Sequence, residues 1–226
     1  MCHLMQRAME PKPFTLEELN AANARIQSMS EDELKEYRER LYASLPPEAQ
    51  ETLRRLDAVQ QQPRTELVAL TREALRSLPS DDLEYAICTY VDHHLAARED
   101  VQAALQELPR GLQVCYLSFI FGMEVMNGGV NQFFWNPSAS MASLVPAALY
   151  ELGSPEAAKL LEQIMRIAEE EAKRRPVPAS FTIEEFMASY AETELNKFDD
   201  LLCPLIEKFP QLLRQYLRDH EDSFLQ

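Results

Sequence analysis

The amino-acid sequence predicts an all-α protein, a multi-helix globular domain carrying an N-terminal helical extension. Three observations predict it. Helix-start signals recur along the chain, apolar residues advance in steps of three and four, and no run combines two-residue alternation with flanking hairpin turns.

The elements follow in order. Thr15-Leu16-Glu17-Glu18, Ser30-Glu31-Asp32-Glu33 and Thr182-Ile183-Glu184-Glu185 each pair a hydroxyl with a carboxylate three residues on, the arrangement that satisfies two orphan amides of a helix start reciprocally. After the second of these, Leu34, Tyr37, Leu41 and Leu45 mark one apolar face. The pattern restarts after Pro46 and Pro47, with Leu53, Leu56 and Val59 keeping the helical period. Residues 1–78 therefore read as a helical extension, an arm or dimerisation element ending near the turn "SLPSDD". Residues 79–226 read as an acidic helical domain. Ser80 is placed to cap a helix through "DDLEYAICTYVDHHLA", whose aspartates sit at its positive end. The segment 112–126, "LQVCYLSFIFGMEVM", is apolar nearly all round, which puts it at the centre of the core. Ser154-Pro155 offers a cap followed by proline at the first helical position, and Leu160, Ile164 and Ile167 or Ala168 define the inner face beyond it. "AKRRPVPASF" reads as a loop because two prolines interrupt any helix. The closing stretch is again amphipathic, with Pro204 and Pro210 starting or kinking helices.

One stretch breaks this grammar. "EVMNGGVNQFFWNP", residues 124–137, holds two of the five glycines side by side and then three consecutive aromatics. Asn127-Gly128-Gly129 predicts a helix stop and a sharp turn, because glycine enters the left-handed conformation of a helix end without steric cost. "VNQFFW" supplies about one more turn, and Asn136-Pro137 a cap with proline at the next first position. Phe133, Phe134 and Trp135 each bring about 150–250 Å² of surface to bury, enough to pin the corner to the core. Glu124 interrupts an apolar helix near its negative end. If buried, it needs donors, and Asn127, Gln132, Asn136 and the free amides of the turn are the nearest. Two readings stand: Glu124 as a general base in a small amide-lined pocket, or Glu124 as the brace of the turn. No nucleophile, histidine or second carboxylate lies at a spacing that completes a catalytic site.

Charge is the other departure. The chain carries 37 acidic and 22 basic side chains, a net charge of −15. Residues 1–78 hold 11 basic and 13 acidic groups, residues 79–226 hold 11 and 24, so −13 of the −15 belongs to the second part. Such a surface repels nucleic acid and anionic membrane and attracts basic proteins, over a range that salt limits to about 8–10 Å.

Other motifs are excluded. Cys2, Cys88, Cys115 and Cys203 lie far apart with no C-x-x-C pair, so neither a zinc site nor a disulfide framework is expected. Cys88 and Cys115 fall in apolar helices and read as core residues. Asp92-His93-His94 are adjacent on a helix, where successive side chains point about 100° apart and do not chelate together; no metal and no cofactor is expected. Lys173, Arg174 and Arg175 form too short a cluster for nucleic-acid binding in so acidic a chain. There is no glycine-rich phosphate loop and no G-x-S-x-G elbow. The opening "MCHLMQRAMEPKP" lacks a signal-peptide core, and the longest nearly apolar run falls short of the roughly 20 residues of a membrane span. A cytoplasmic protein is expected.

The pattern Glu124-x-x-Asn127-Gly128-Gly129-x-x-Gln132-Phe133-Phe134-x-Asn136 resembles the signature of the bacterial DNA-mimic protein family. "SDDLEYAI", "LPRGLQVCYLSFIFGMEV", "ALYELGSPEAAKLLEQI" and "ELNKFDDLLCPLIEKF" fall around it in the family's order, so that the resemblance spans about residues 80–222. Pro146, inside the helix expected after Asn136, and Pro204, inside the expected final helix, depart from it, and residues 1–78 have no counterpart. The resemblance implies binding without catalysis: carboxylates spaced like DNA phosphates, on which a basic DNA-binding protein docks. Candidate positions are Asp81, Asp82, Glu84, Glu192, Glu194, Asp199, Asp200, Glu207, Asp219, Glu221 and Asp222, on or beside the first and last helices of the domain. Self-association, as a dimer, is also expected. Two alternatives remain: an enzyme with a polar pocket at Glu124, Asn127 and Gln132, and a structural or assembly protein using the N-terminal helices.

Overall fold

The computed structural model describes residues 25, 28–60, 64–79, 82–174 and 183–225. Eleven α-helices and no strand are found among them, so the protein is all-α. The chain divides into two compact units, residues 1–63 and 64–226. The capping boxes at Thr15 and Thr182 and the cap at Ser80 lie outside the described residues; of the expected loop 172–181, residues 172–174 instead close the helix Pro155–Arg174 and the rest lies outside them.

In the first unit, α1 (Glu31–Ser44) opens on the expected box: Ser30 accepts from the Glu33 amide, and the Glu33 carboxylate accepts from the Ser30 amide at 2.9 Å. α2 (Pro47–Gln60) follows. The hairpin between them is fastened by Tyr42, whose hydroxyl donates to the Gln50 carbonyl at 2.9 Å, and by Gln50, whose amide donates to the Leu45 carbonyl at 2.9 Å. The stripe Leu34, Tyr37, Leu41 and Leu45 is not a buried face. α1 buries none of its residues, and Leu41 is 52% exposed.

The second unit begins with residues 64–78, which the sequence groups with the N-terminal extension. Leu67, before α3 (Arg72–Ser77), and Leu75, on it, are buried in this unit's core. α4 (Leu83–Leu95) starts at Asp82, whose carboxylate makes no capping bond and accepts instead from the Thr65 amide at 3.1 Å. α5 (Val101–Gln106) leads to α6 (Arg110–Trp135), the axis of the unit. Every residue from Gly111 to Ser118 is buried, as the all-round apolarity predicts. α6 packs against α4, α7 (Val145–Leu152), α10 (Asp199–Ile206) and α11 (Phe209–Asp219). Each large side chain fully buried there, such as Phe121 or Leu117, contributes roughly 1.5–3 kcal/mol.

After Trp135 the chain does not enter an α-helix directly. Residues Pro137–Leu144 form a 3₁₀ turn, and α7 begins only at Val145 with Pro146 in its first turn. Pro146 therefore starts a helix rather than interrupting one. Gly153, at φ 91°, ends α7 in the left-handed conformation, and Pro155 opens α8 (Pro155–Arg174). The inner face of α8 is Ala157, Ala158, Leu161 and Ile164; of the residues expected on it, Ile164 is buried and Leu160, Ile167 and Ala168 are only partly so. α9 (Ile183–Glu192) and a 3₁₀ turn at Leu195–Phe198 complete the route to α10, which contains Pro204, and to α11, which starts with Pro210 in its first turn. No described helix is long and apolar enough to cross a membrane.

Candidate functional site

The corner in α6 is a break of two residues. Asn127 is still helical; Gly128 has φ −142°, ψ 17°, and Gly129 has φ 82°, ψ 180°. The second pair of angles is not the left-handed helical end expected from the sequence but the mirror image of an extended strand, a region that essentially only glycine occupies. A helix broken this way strands a carbonyl on one side and an amide on the other. Both find partners from distant sequence. The Tyr190 hydroxyl donates to the Gly128 carbonyl at 2.6 Å, and Asp199 Oδ1 accepts from the Val130 amide at 2.8 Å. The Asp199 carboxylate thus stands at the positive end of the resumed helical turn.

A second set of bonds crosses the corner from its front. Glu124, half-buried, accepts from Gln132 Nε2 and Asn136 Nδ2, each at 2.8 Å, and from Ser138 Oγ at 3.1 Å. Three neutral donors thereby offset the unfavourable dipole at the end of the first helical part. Asn136 occupies the cap position before Pro137, but its side chain serves Glu124 and not the backbone. Asn127 stands exposed, outside this network.

The aromatics fix the corner in place. Phe133 is buried and meets Phe121 edge-on at 5.1 Å and Phe134 at 5.2 Å. Trp135 lies 5.6 Å from Phe186, which meets Tyr190 edge-on at 5.1 Å. Asn131 Nδ2 donates to Ser189 Oγ at 2.7 Å, and Asn196 Nδ2 to the Tyr190 carbonyl at 2.8 Å. α9 is in this way clasped to both limbs of the bend. Burial pushes the Asp199 carboxyl above the ordinary aspartate range, opposed by the Val130 amide and reinforced by the neighbouring Asp200. Burial likewise raises the Tyr190 phenol, with the charges of Asp199 and Glu124 adding to it and a bond to Asn131 opposing.

The candidate acidic positions separate into distinct environments. Asp200, Glu207 and Asp219 are exposed, Asp219 accepting from Gln215 at 2.7 Å. Glu194 pairs with Lys197 at 2.7 Å, which holds its carboxyl below the ordinary range. Glu221 receives both nitrogens of the Arg76 fork, at 2.7 and 2.9 Å, and Asp222 pairs with Arg72. Asp82 is engaged by Thr65, and Glu84 is half-buried, its carboxyl raised by desolvation. Asp199 does not belong to an outward face, because desolvation and the Val130 bond place it in the corner. Asp81 and the side chain of Glu192 lie outside what is described. Exposed carboxylates that the sequence reading did not single out stand on α8, at Glu156 and Glu169. Their signal was the polar face of a strongly amphipathic helix.

Elsewhere Cys88 and Cys115 are core residues, and burial raises both thiols. Asp92 accepts from the Tyr116 hydroxyl at 2.8 Å. No group of three or more His, Cys, Asp or Glu placed to hold a metal is found among the described residues.

The helices of the described residues, a braced glycine corner and an excess of carboxylates define an acidic all-α protein. Residues 106–220, just over half of the 226-residue chain, match the family model described as DMP19-like protein, and the chain belongs to this family, a family of DNA mimics. No curated protein and no solved structure matches it.

Proposed function

We propose that this chain is a non-catalytic binding protein whose carboxylate-bearing surface takes the place of duplex DNA on a basic DNA-binding protein. The observation that carries the reading is the charge of the domain that contains the family-matched residues: residues 79–226 hold 24 acidic against 11 basic groups, and Asp200, Glu207, Asp219, Glu156 and Glu169 stand exposed on or beside its helices. Duplex DNA presents one negative charge per roughly 1.7 Å of axis, and proteins that bind it draw much of their affinity from neutralising those charges. Rigid helices bearing carboxylates offer such partners a substitute negative field, and binding to it is weakened by salt in the same sense. The reading sets the protein in the cytoplasm, with no nucleic acid or membrane bound directly and no cofactor.

Glu124 supports the non-catalytic part of the proposal. Gln132 and Asn136 both donate to its Oε2 and Ser138 to its Oε1, so that most of its acceptor capacity serves the turn. The corner then serves as the brace that orients the helices bearing the charge.

The test is affinity capture with the full chain at low and at high salt. Recovery of a basic DNA-binding protein at low salt, released by salt and displaced by duplex DNA, supports mimicry. Recovery of none, or of a partner indifferent to DNA, contradicts it.

A second reading concerns assembly. α1 buries no residue, and Leu41 and Leu53 are 52% and 38% exposed, which favours the N-terminal helices as a self-association element, a dimer being the simplest closed form. Deleting residues 1–63, which spares Leu67 and Leu75, halves the solution mass of a dimer built this way beyond the loss of the deleted residues; a particle that stays dimeric contradicts it.

A further inference from the structure

A cavity of about 300 Å³ lies where α3, the start of α4 and α11 meet. Its described lining reverses the charge of the chain. Arg76, Arg214 and Arg218 face the single carboxylate of Glu221, over a floor of Leu75, Leu78, Leu83 and Leu217, in a protein with 37 acidic and 22 basic side chains.

The three guanidiniums are not equivalent. Arg76 is committed, since both nitrogens of its fork are taken by Glu221, which Arg72 also reaches. Among the described residues Arg218 donates to the neutral Gln215, at 2.7 Å, and Arg214 faces the half-buried Glu84 without a direct ion pair. Among the described residues neither takes part in a salt bridge. Two guanidiniums without a direct ion pair among the described residues, beside the partly exposed Leu78 and Leu217 and over the buried Leu75 and Leu83, make an amphiphilic site that takes negative charge at the rim and hydrocarbon at the base.

We propose that this cavity binds a small amphiphilic carboxylate, a medium-chain aliphatic acid with its tail on the leucines and its head between Arg214 and Arg218. The carboxylate's two oxygens match the planar fork of a guanidinium, and charge-assisted bonds of that kind are the strong ones. The tail replaces water over the partly exposed Leu78 and Leu217, with the buried Leu75 and Leu83 beneath them. The volume is at the lower end of ligand sites and accommodates an acid of about eight carbons. An uncharged alcohol fills the same floor without satisfying the arginines, and an amine adds a further positive charge to the rim.

The experiment titrates octanoate into the full chain by calorimetry, with octan-1-ol, octylamine and acetate as controls. The expected result is saturable one-to-one binding of octanoate, at least tenfold weaker binding of octan-1-ol and acetate, and none of octylamine. Arg214→Gln combined with Arg218→Gln weakens octanoate at least tenfold, while Arg98→Gln, whose guanidinium pairs with Glu107, leaves it unchanged. Should the double variant not fold, the single Arg218→Gln and the comparison of octanoate with octylamine on the parent chain carry the decision. Absence of saturable octanoate binding, equal binding of octanoate and octylamine, or full affinity in a folded arginine variant overturns the proposal.

Discussion

A β-carbon at Gly129 falls 2.5 Å from Asp199 Oδ2, while the other oxygen of the same carboxylate accepts from the Val130 amide at 2.8 Å. The glycine and the aspartate, 70 positions apart, therefore specify one another. The bare Cα lets the carboxylate approach the broken backbone, and the carboxylate satisfies the amide that the break exposes. Gly129→Ala must both leave a glycine-only conformation, at a cost of about 1–3 kcal/mol, and displace Asp199. A loss of stability at or above the upper end of that range is expected in urea unfolding. A variant that unfolds at the parent's midpoint contradicts the relationship.

Asp199 also gives a pH signature. Its folded-state carboxyl is raised above the ordinary aspartate value by burial, so the folded state holds its proton at pH values where the unfolded chain has released it. Ionised Asp199 consequently opposes folding, and its share of stability falls as pH rises from about 4 through the raised value. The carboxamide introduced by Asp199→Asn keeps an acceptor for Val130 and does not ionise. The variant is expected to exceed the parent in stability at pH 7, with the gap closing toward pH 4. A gap that is absent at pH 7 and opens on acidification has the opposite sign and refutes the assignment.

Glu124→Ala removes the acceptor of three donors at once. Hydrogen bonds to a charged group contribute about 1.5–3 kcal/mol each when fully buried. These are half-buried and their donors can turn to water, so a total of about 2–4 kcal/mol is expected. Glu124→Gln keeps an acceptor oxygen while turning the other into a donor, and is expected to lie between Glu124→Ala and the parent. The ordering of the three unfolding midpoints checks the brace. Equal midpoints contradict it.

Ser118 is fully buried in the middle of α6, and its hydroxyl has no partner among the described residues. Ser118→Ala removes that orphan group and improves helix propensity. A gain of about 0.5–1.5 kcal/mol is expected in thermal or urea unfolding; a loss greater than about 1 kcal/mol contradicts this environment.

Local rules carried the sequence reading far, and distance limited it. The box at Ser30, the all-round burial of residues 111–118 and the break at Gly128-Gly129 depend on neighbours within a turn or two, and were legible for that reason. Gln132 and Asn136 as donors to Glu124 were legible by proximity; Ser138, two residues further, was not. Tyr190 and Asp199 reach the corner only through the fold, and nothing in the composition of "ELNKFDDLLCPLIEKF" separates the inward Asp199 from the outward Asp200. The same limit applies to Glu221 and Asp222, whose arginine partners lie about 150 positions earlier in α3. Apolar periodicity misjudged α1, where Leu34, Tyr37 and Leu41 form a stripe without a buried counterpart. Periodicity marks a face but not what covers it.

The most direct measurement compares capture of a basic DNA-binding protein by three forms of the chain: the parent, Glu124→Gln, and a form neutralised at its exposed carboxylates by Asp200→Asn, Glu207→Gln and Asp219→Asn, each first shown to be folded. Capture that is DNA-competed in the parent, kept by Glu124→Gln and lost on neutralisation is the predicted result. Capture that survives neutralisation but disappears with Glu124→Gln places the activity at the corner and contradicts the account.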